Sequence, residues 1–190
     1  MARTKLTPEN MDFSTKAHLA AQKLIYPSIF QCPQEKLSYE DVSLDISTRN
    51  HIFDKELGID KIIHVEVGLK YPLGFTVQER FRRPIYRNYK DLTITEWNYA
   101  SNTPSELYKI IAGLLVYGYY DEGREIFHDA IAIEVTSFLL ALSKNKLKYE
   151  ILRNSKEQTF SACRFQDMTD IGIVYWKQNE KEKAPNGISV

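Results

Sequence analysis

The chain has 190 residues, 25 Lys and Arg against 25 Asp and Glu, and a formal net charge of zero. Hydrophobic residues make up 43% and charged residues 26%, the proportions of an ordinary globular protein, which excludes disordered, collagen-like and coiled-coil classes. The zero balance excludes a uniformly basic nucleic-acid coat but leaves room for a local basic patch.

No window approaches the roughly eighteen consecutive apolar residues of a membrane span. The start "MARTKLTPENMDF" has no secretory apolar segment, so the expectation is a cytoplasmic protein. Cys32 and Cys163 are far apart and lack CxxC spacing, as expected of reduced thiols. The length suits one domain over residues 12–177, between flexible tails at 1–11 and 178–190.

In chain order, "DFSTKAHLAAQKLIYPSIF" places Ala17, Ala20, Ala21, Leu24 and Ile25 at helical spacing, with Asp12 and Ser14 as cap candidates and Pro27 at the end. Residues 35–57 are mixed in sign and weakly periodic, and read as loop with short irregular pieces. "GIDKIIHVEVG" and "GFTVQERFR" are β-rich runs around "LKYPL" and predict a hairpin. "DLTITEW" predicts a third strand. "TPSELYKIIAGLLVYGYY" matches a capping box, with Thr103 as cap, Pro104 in the first turn and Glu106 closing the box, and so predicts a helix. "HDAIAIEVTSFLLALSK" is a strand, a helix, or one followed by the other. "YEILRN", "TFSACRF" and "GIVYWK" predict late strands. Together these elements predict an α/β fold, a central mixed β-sheet flanked by helices.

Strand alternation puts Thr76, Gln78, Arg80 and Arg82 on one side and Phe75, Val77, Glu79 and Phe81 on the other. A core-facing Glu79 needs a bulge or a neighbouring arginine, because an unpaired buried carboxylate is costly. Asp60, Ile62, His64 and Glu66 share a face of the preceding strand, and a hairpin brings Asp60 beside Gln78 and Arg80. An acid, an amide oxygen and a fixed cation suit Mg²⁺ and a phosphate. Next, "RFRRPIYRNYK" holds five cations in eleven residues, without an acid and among aromatics. It reads either as a phosphate-backbone footprint or as a solvated, charge-protected edge.

Asp60 opening one strand, "VQER" on the next, a threonine-bearing strand and then "SELYK" resemble the core of the PD-(D/E)XK, or restriction-endonuclease-like, nuclease superfamily over about residues 12–135. The resemblance implies a restriction-endonuclease-like core and a Mg²⁺- or Mn²⁺-dependent nuclease that hydrolyses DNA phosphodiesters. It puts Asp60 at the metal-binding aspartate, Gln78 at the second-strand Glu or Gln, and Arg80 where lysine is usual. The implied catalytic set is Asp60, Gln78, Glu79 and Arg80, and the implied metal set is Asp60, Gln78 and Glu79, with Glu66 as an alternative carboxylate. Arg80 stays protonated, so it orients water or stabilises charge and cannot act as a base. Arg82, Arg83, Arg87, Lys90 and Lys109 are the expected DNA contacts. His18 and Gln22, at i and i+4 on the first helix, stand where such folds often place a further acid, though an ordinary surface or core-rim pair is the simpler account.

No GxxxxGK[ST], GxGxxG, HExxH or GxSxG motif occurs, and His18, His51, His64 and His128 are scattered. The tyrosines of "VYGYY" suit a core better than base stacking. The rival expectation is a non-catalytic nucleic-acid-binding or assembly protein on a degenerate nuclease fold. A homodimer follows only by analogy with nucleases that cut both strands.

Overall fold

The computed structural model describes residues 7–42, 54, 57–154 and 157–178. The remainder of the two expected tails, most of the expected irregular stretch and His51 lie outside the described residues. Helix α1 (Pro8–Leu24) begins with a proline whose missing N–H costs nothing in a first turn, and Thr7 caps it by accepting from Asn10 N. The cap is therefore Thr7 rather than Asp12 or Ser14, and residues 8–11 belong to the helix. A short α2 (Tyr26–Ile29) carries Pro27 in its first turn.

Ten strands follow. β1 (Leu37–Asp41), β2 (Lys61–Val65), β3 (Leu73–Arg82), β6 (Leu114–Asp121), β7 (Ile126–Glu134) and β10 (Val174–Lys177) form a six-stranded sheet in the order β1-β2-β3-β6-β7-β10. Its β3–β6 pair is parallel and its other pairs are antiparallel, so the sheet is mixed. β4 (Asp91–Asn98), β5 (Thr103–Pro104), β8 (Glu150–Asn154) and β9 (Gln158–Arg164) form a second, antiparallel sheet in the order β5-β4-β9-β8. Helix α3 (Val135–Ser143) continues directly from β7, and α4 (Phe165–Asp170) from β9.

Two cores sandwich the six-stranded sheet. On one face Phe13, Ala17, Ala21, Ile25 and Tyr26 of the first helices pack on Ile63, Val77, Val116 and Ala132. On the other, Leu115, Tyr117, Tyr119, Ile131 and Ile133 meet Leu92, Ile94 and Cys163 of the second sheet together with Phe138 and Met168 of the late helices. The result is the expected α/β arrangement of a mixed central sheet with flanking helices. Among the described residues, no helix is long and apolar enough to cross a membrane.

The helix expected from Thr103 onward does not form. Thr103–Pro104 is β5, Glu106–Tyr108 makes a single 3₁₀ turn, and Leu114–Asp121 is the buried strand β6. A strand covered on both faces reads as a continuous apolar run, which hides its period of two. The tyrosines of "VYGYY" do complete the core, with Tyr117, Tyr119 and Tyr120 all buried. Gly118 between them is required by close packing, since a Cβ there would lie 2.9 Å from Phe127 Cδ1. The ambiguous run after residue 128 resolves as strand followed by helix.

Candidate active site

The site lies where β2 stops and β3 runs on. Asp60 N donates to Val77 O at 2.9 Å as the last rung between them, and from Val77 to Arg82 β3 pairs with β6 on its other edge. Past that rung, the Asp60 side chain takes over from a neighbouring strand. Its Oδ2 accepts from the backbone N–H of Glu79 at 2.8 Å and from Gln78 Nε2 at 2.8 Å, so the acid satisfies an otherwise orphaned strand-edge donor. Burial pushes the Asp60 carboxyl up to about 7; the Glu79 N–H bond opposes the rise and the Glu79 charge adds to it.

Gln78 is buried, and its Oε1 has no hydrogen-bond partner among the described residues. Gly58, at φ +57°, passes close to this amide: a Cβ there would stand 3.3 Å from Gln78 Oε1 and 3.1 Å from Ile110 Cα. Arg80, on the same face as Gln78, donates from Nε to Glu106 Oε1 at 3.3 Å and from Nη2 to Glu106 Oε2. Glu106 is thus the partner of Arg80 rather than the closing residue of a capping box. Burial raises its carboxyl, and Arg80 pulls it back.

These groups open onto a cavity of about 580 Å³ beside β3, lined by Asp54, Asp60, Gln78, Arg80 and Arg82, by Thr93, Thr95 and Phe160 of the second sheet, and by Ser14, His18 and Phe81 on the helix side. The sequence reading brought Asp60, Gln78 and Arg80 to one place, and the fold does so.

Glu79 resolves differently from either expectation. Register with β6 is unbroken from Val77 to Arg82, so no bulge turns the side chain, and among the described residues its partners are not arginines. It faces the helices, where Lys61 Nζ lies 3.5 Å from its Oε2, His18 Nδ1 lies 2.6 Å from the same atom, and Tyr26 OH donates to its Oε1. Lys61, 1% exposed, also reaches Asp41 Oδ2 at 3.4 Å. The Glu79 carboxylate is taken up by this network, on the strand face opposite Gln78. Glu66, exposed beyond the far end of β2, is not beside the Asp60–Gln78 pair. Burial lowers His18, but the hydrogen bond to Glu79 and its charge outweigh that and raise it overall. His18 lines the cavity; Gln22 is not among the lining residues.

The basic run does not make one face. Arg82 donates to Thr93 Oγ1 at 3.3 Å and stacks 4.2 Å above the Tyr86 ring. Arg83 turns to the helix side, 4.5 Å over Phe13 and 3.6 Å from Glu122. Arg87 contacts His128 at 3.2 Å, and Lys90 and Lys109 are exposed away from the cavity lining. The sequence reading missed Lys61 and Tyr26. A signal for Lys61 was present: it stands in phase with Ile63 and Val65, an inward position that a lysine takes only with a buried partner.

No protein-family model and no curated protein matches the sequence. Among solved structures, the chain is similar to a nuclease from a fusselovirus, at 12% identity and a TM-score of 0.36, over 90% of this chain and 91% of that one. It is also similar to the restriction endonuclease MspI in complex with its cognate DNA, at 10% identity and a TM-score of 0.38, over 84% of this chain and 79% of that one.

Proposed function

We propose that the protein is a divalent-metal-dependent nuclease of the restriction-endonuclease-like kind that hydrolyses DNA phosphodiesters at the Asp60–Gln78–Arg80 site. The observation that carries this reading is the meeting of the Asp60 carboxylate with Gln78, whose buried Oε1 is left unpartnered, at the wall of an open polar cavity. Oxygen donors of this kind fit a hard cation such as Mg²⁺ or Mn²⁺, with Asp60 and Gln78 holding it and Asp54 lining the same space. Once bound, such an ion supplies Lewis-acid polarisation of a phosphoryl oxygen and a lowered pKa for water. Arg80, held in place by Glu106, offers a fixed positive charge to the phosphate, and Arg82 extends that charge along the cavity. Neither arginine takes up a proton.

The test is cleavage of duplex, single-stranded and branched DNA across divalent metals, run beside Asp60→Ala. Metal-dependent cutting that disappears in the variant supports the reading; cutting that survives it, or no cutting by the wild type, overturns it. One observation favours a non-catalytic binding protein instead. Among the described residues, no three His, Cys, Asp or Glu side chains gather to hold a metal, and Arg80 is already matched by Glu106. That reading expects equal DNA affinity in wild type and Asp60→Ala, without turnover in either.

A further inference from the structure

The helix side of the same cavity carries Ser14 and His18, backed by the fully buried Glu79 carboxylate, three groups that the nuclease reading leaves unused. Ser14 and His18 stand one turn apart on α1 and so face the same way. Ser14 Oγ lies 3.1 Å from His18 Nε2, and His18 Nδ1 lies 2.6 Å from Glu79 Oε2. In the neutral imidazole, a carboxylate at Nδ1 holds the proton there and leaves the Nε2 lone pair to accept from the Ser14 hydroxyl. Glu79 is itself fixed by Tyr26 OH and Lys61, and the imidazole rests edge-on against Phe81 at 5.4 Å between ring centres.

A serine and a histidine one turn apart on a helix make an ordinary contact. Here, however, the second ring nitrogen is bound by an anchored acid, and all three residues line a cavity that also contains Arg80. A nucleophile and base within hydrogen-bond reach, with the base oriented by a third group, is the arrangement that activates a hydroxyl.

We propose that Ser14, His18 and Glu79 form a hydroxyl-nucleophile site for phosphoric esters, separate in chemistry from the metal-assisted reaction and needing no cation. Ser14 Oγ bonds to phosphorus as its proton passes to His18 Nε2. The bond from phosphorus to the ester oxygen breaks, and His18 returns the proton to the departing alcohol. Water then takes the place of the alcohol: it gives a proton to His18 Nε2 as its oxygen bonds to phosphorus, the bond to Ser14 Oγ breaks, and His18 returns that proton to Ser14 Oγ. Arg80 faces the charge on the phosphoryl group, and Glu79 is a positioning residue for His18.

A fluorophosphonate probe tests this in EDTA, where metal-assisted cleavage is silent, so the result is independent of the nuclease reading. Attack by Ser14 expels fluoride, and an acid quench traps the adduct before water removes it, so that peptide mass spectrometry locates it. The expected results are modification at Ser14, none in Ser14→Ala, and labelling slower by on the order of a hundredfold or more in His18→Gln, the usual contribution of a general base. Glu79→Gln is expected to slow labelling similarly while Glu79→Asp restores part of the rate, a recovery that a purely structural role would not produce. No adduct on the wild type, an adduct at another residue, or a wild-type rate in His18→Gln overturns the proposal. Ser14→Ala places the best helix former at a helical position. It therefore keeps the comparison decisive even where a His18 or Glu79 variant unfolds.

Discussion

Consecutive residues of β3 do opposite things. Gln78 and Arg80 face the second sheet and an open cavity, where, among the described residues, Gln78 Oε1 has no partner and Arg80 pairs with Glu106. Glu79, between them, faces the helices and is enclosed by Lys61, His18 and Tyr26. A buried charge network satisfied on all sides holds a fold in one arrangement, whereas a polar group left unsatisfied at a cavity wall is open to a ligand. By alternation alone the strand therefore sends one polar residue into a packed network and its two neighbours to the cavity.

The sharpest way to break that division is on the cavity side. Asp60→Ala is expected to lower metal-dependent DNA cleavage by roughly a thousandfold, the equivalent of several kcal/mol of transition-state stabilisation. A thermal melt should meanwhile show the fold intact. On the helix side the order reverses. Lys61→Met removes the cation nearest a buried carboxylate and is expected to cost about 3–5 kcal/mol in urea unfolding. A loss under 1 kcal/mol would show that Glu79 does not depend on it.

A smaller effect comes from pH. Asp60, at about 7 in the folded chain, lies above the ordinary aspartate value near 3.9 that it regains on unfolding. The folded state thus holds the extra proton between roughly pH 4 and 7. Stability from this group is complete below that window and is lost as pH rises through it. Urea midpoints across the window should fall less steeply in Asp60→Asn than in the wild type. By the same linkage, Mg²⁺ affinity should strengthen as pH rises to about 7, because the ion must displace that proton. The least effect is expected from Arg87→Ala. Its guanidinium sits against His128 away from the cavity, so DNA affinity measured by anisotropy should change by no more than about threefold, in line with one exposed phosphate contact at most.

The hairpin of β2 and β3 was legible in the sequence because its faces alternate cleanly, and the meeting of Asp60 with Gln78 followed from that register alone. The late strands were legible for the same reason. β6 was not, because burial on both faces erases alternation and Thr103, Pro104 and Glu106 imitate a helix start. The surroundings of Glu79 were half legible: alternation put it inward, but the residues that stabilise it come from β2 and from the first helices, and no local pattern reports contacts across 61 or 53 positions. The spread of the basic run was not legible, because clustering in sequence does not imply clustering in space; the end of β3 and the 3₁₀ turn Pro84–Tyr89 after it point Arg82, Arg83 and Arg87 at three different neighbours.

Gly58 gives the protein an unusual point of adjustment. Because its left-handed backbone lies against the Gln78 amide, even a methyl group there must displace either the main chain at Ile110 or the very oxygen opposite. Gly58→Ala would therefore detune the Asp60 neighbourhood while every ionisable group stayed in the chain, separating the shape of the pocket from its charge.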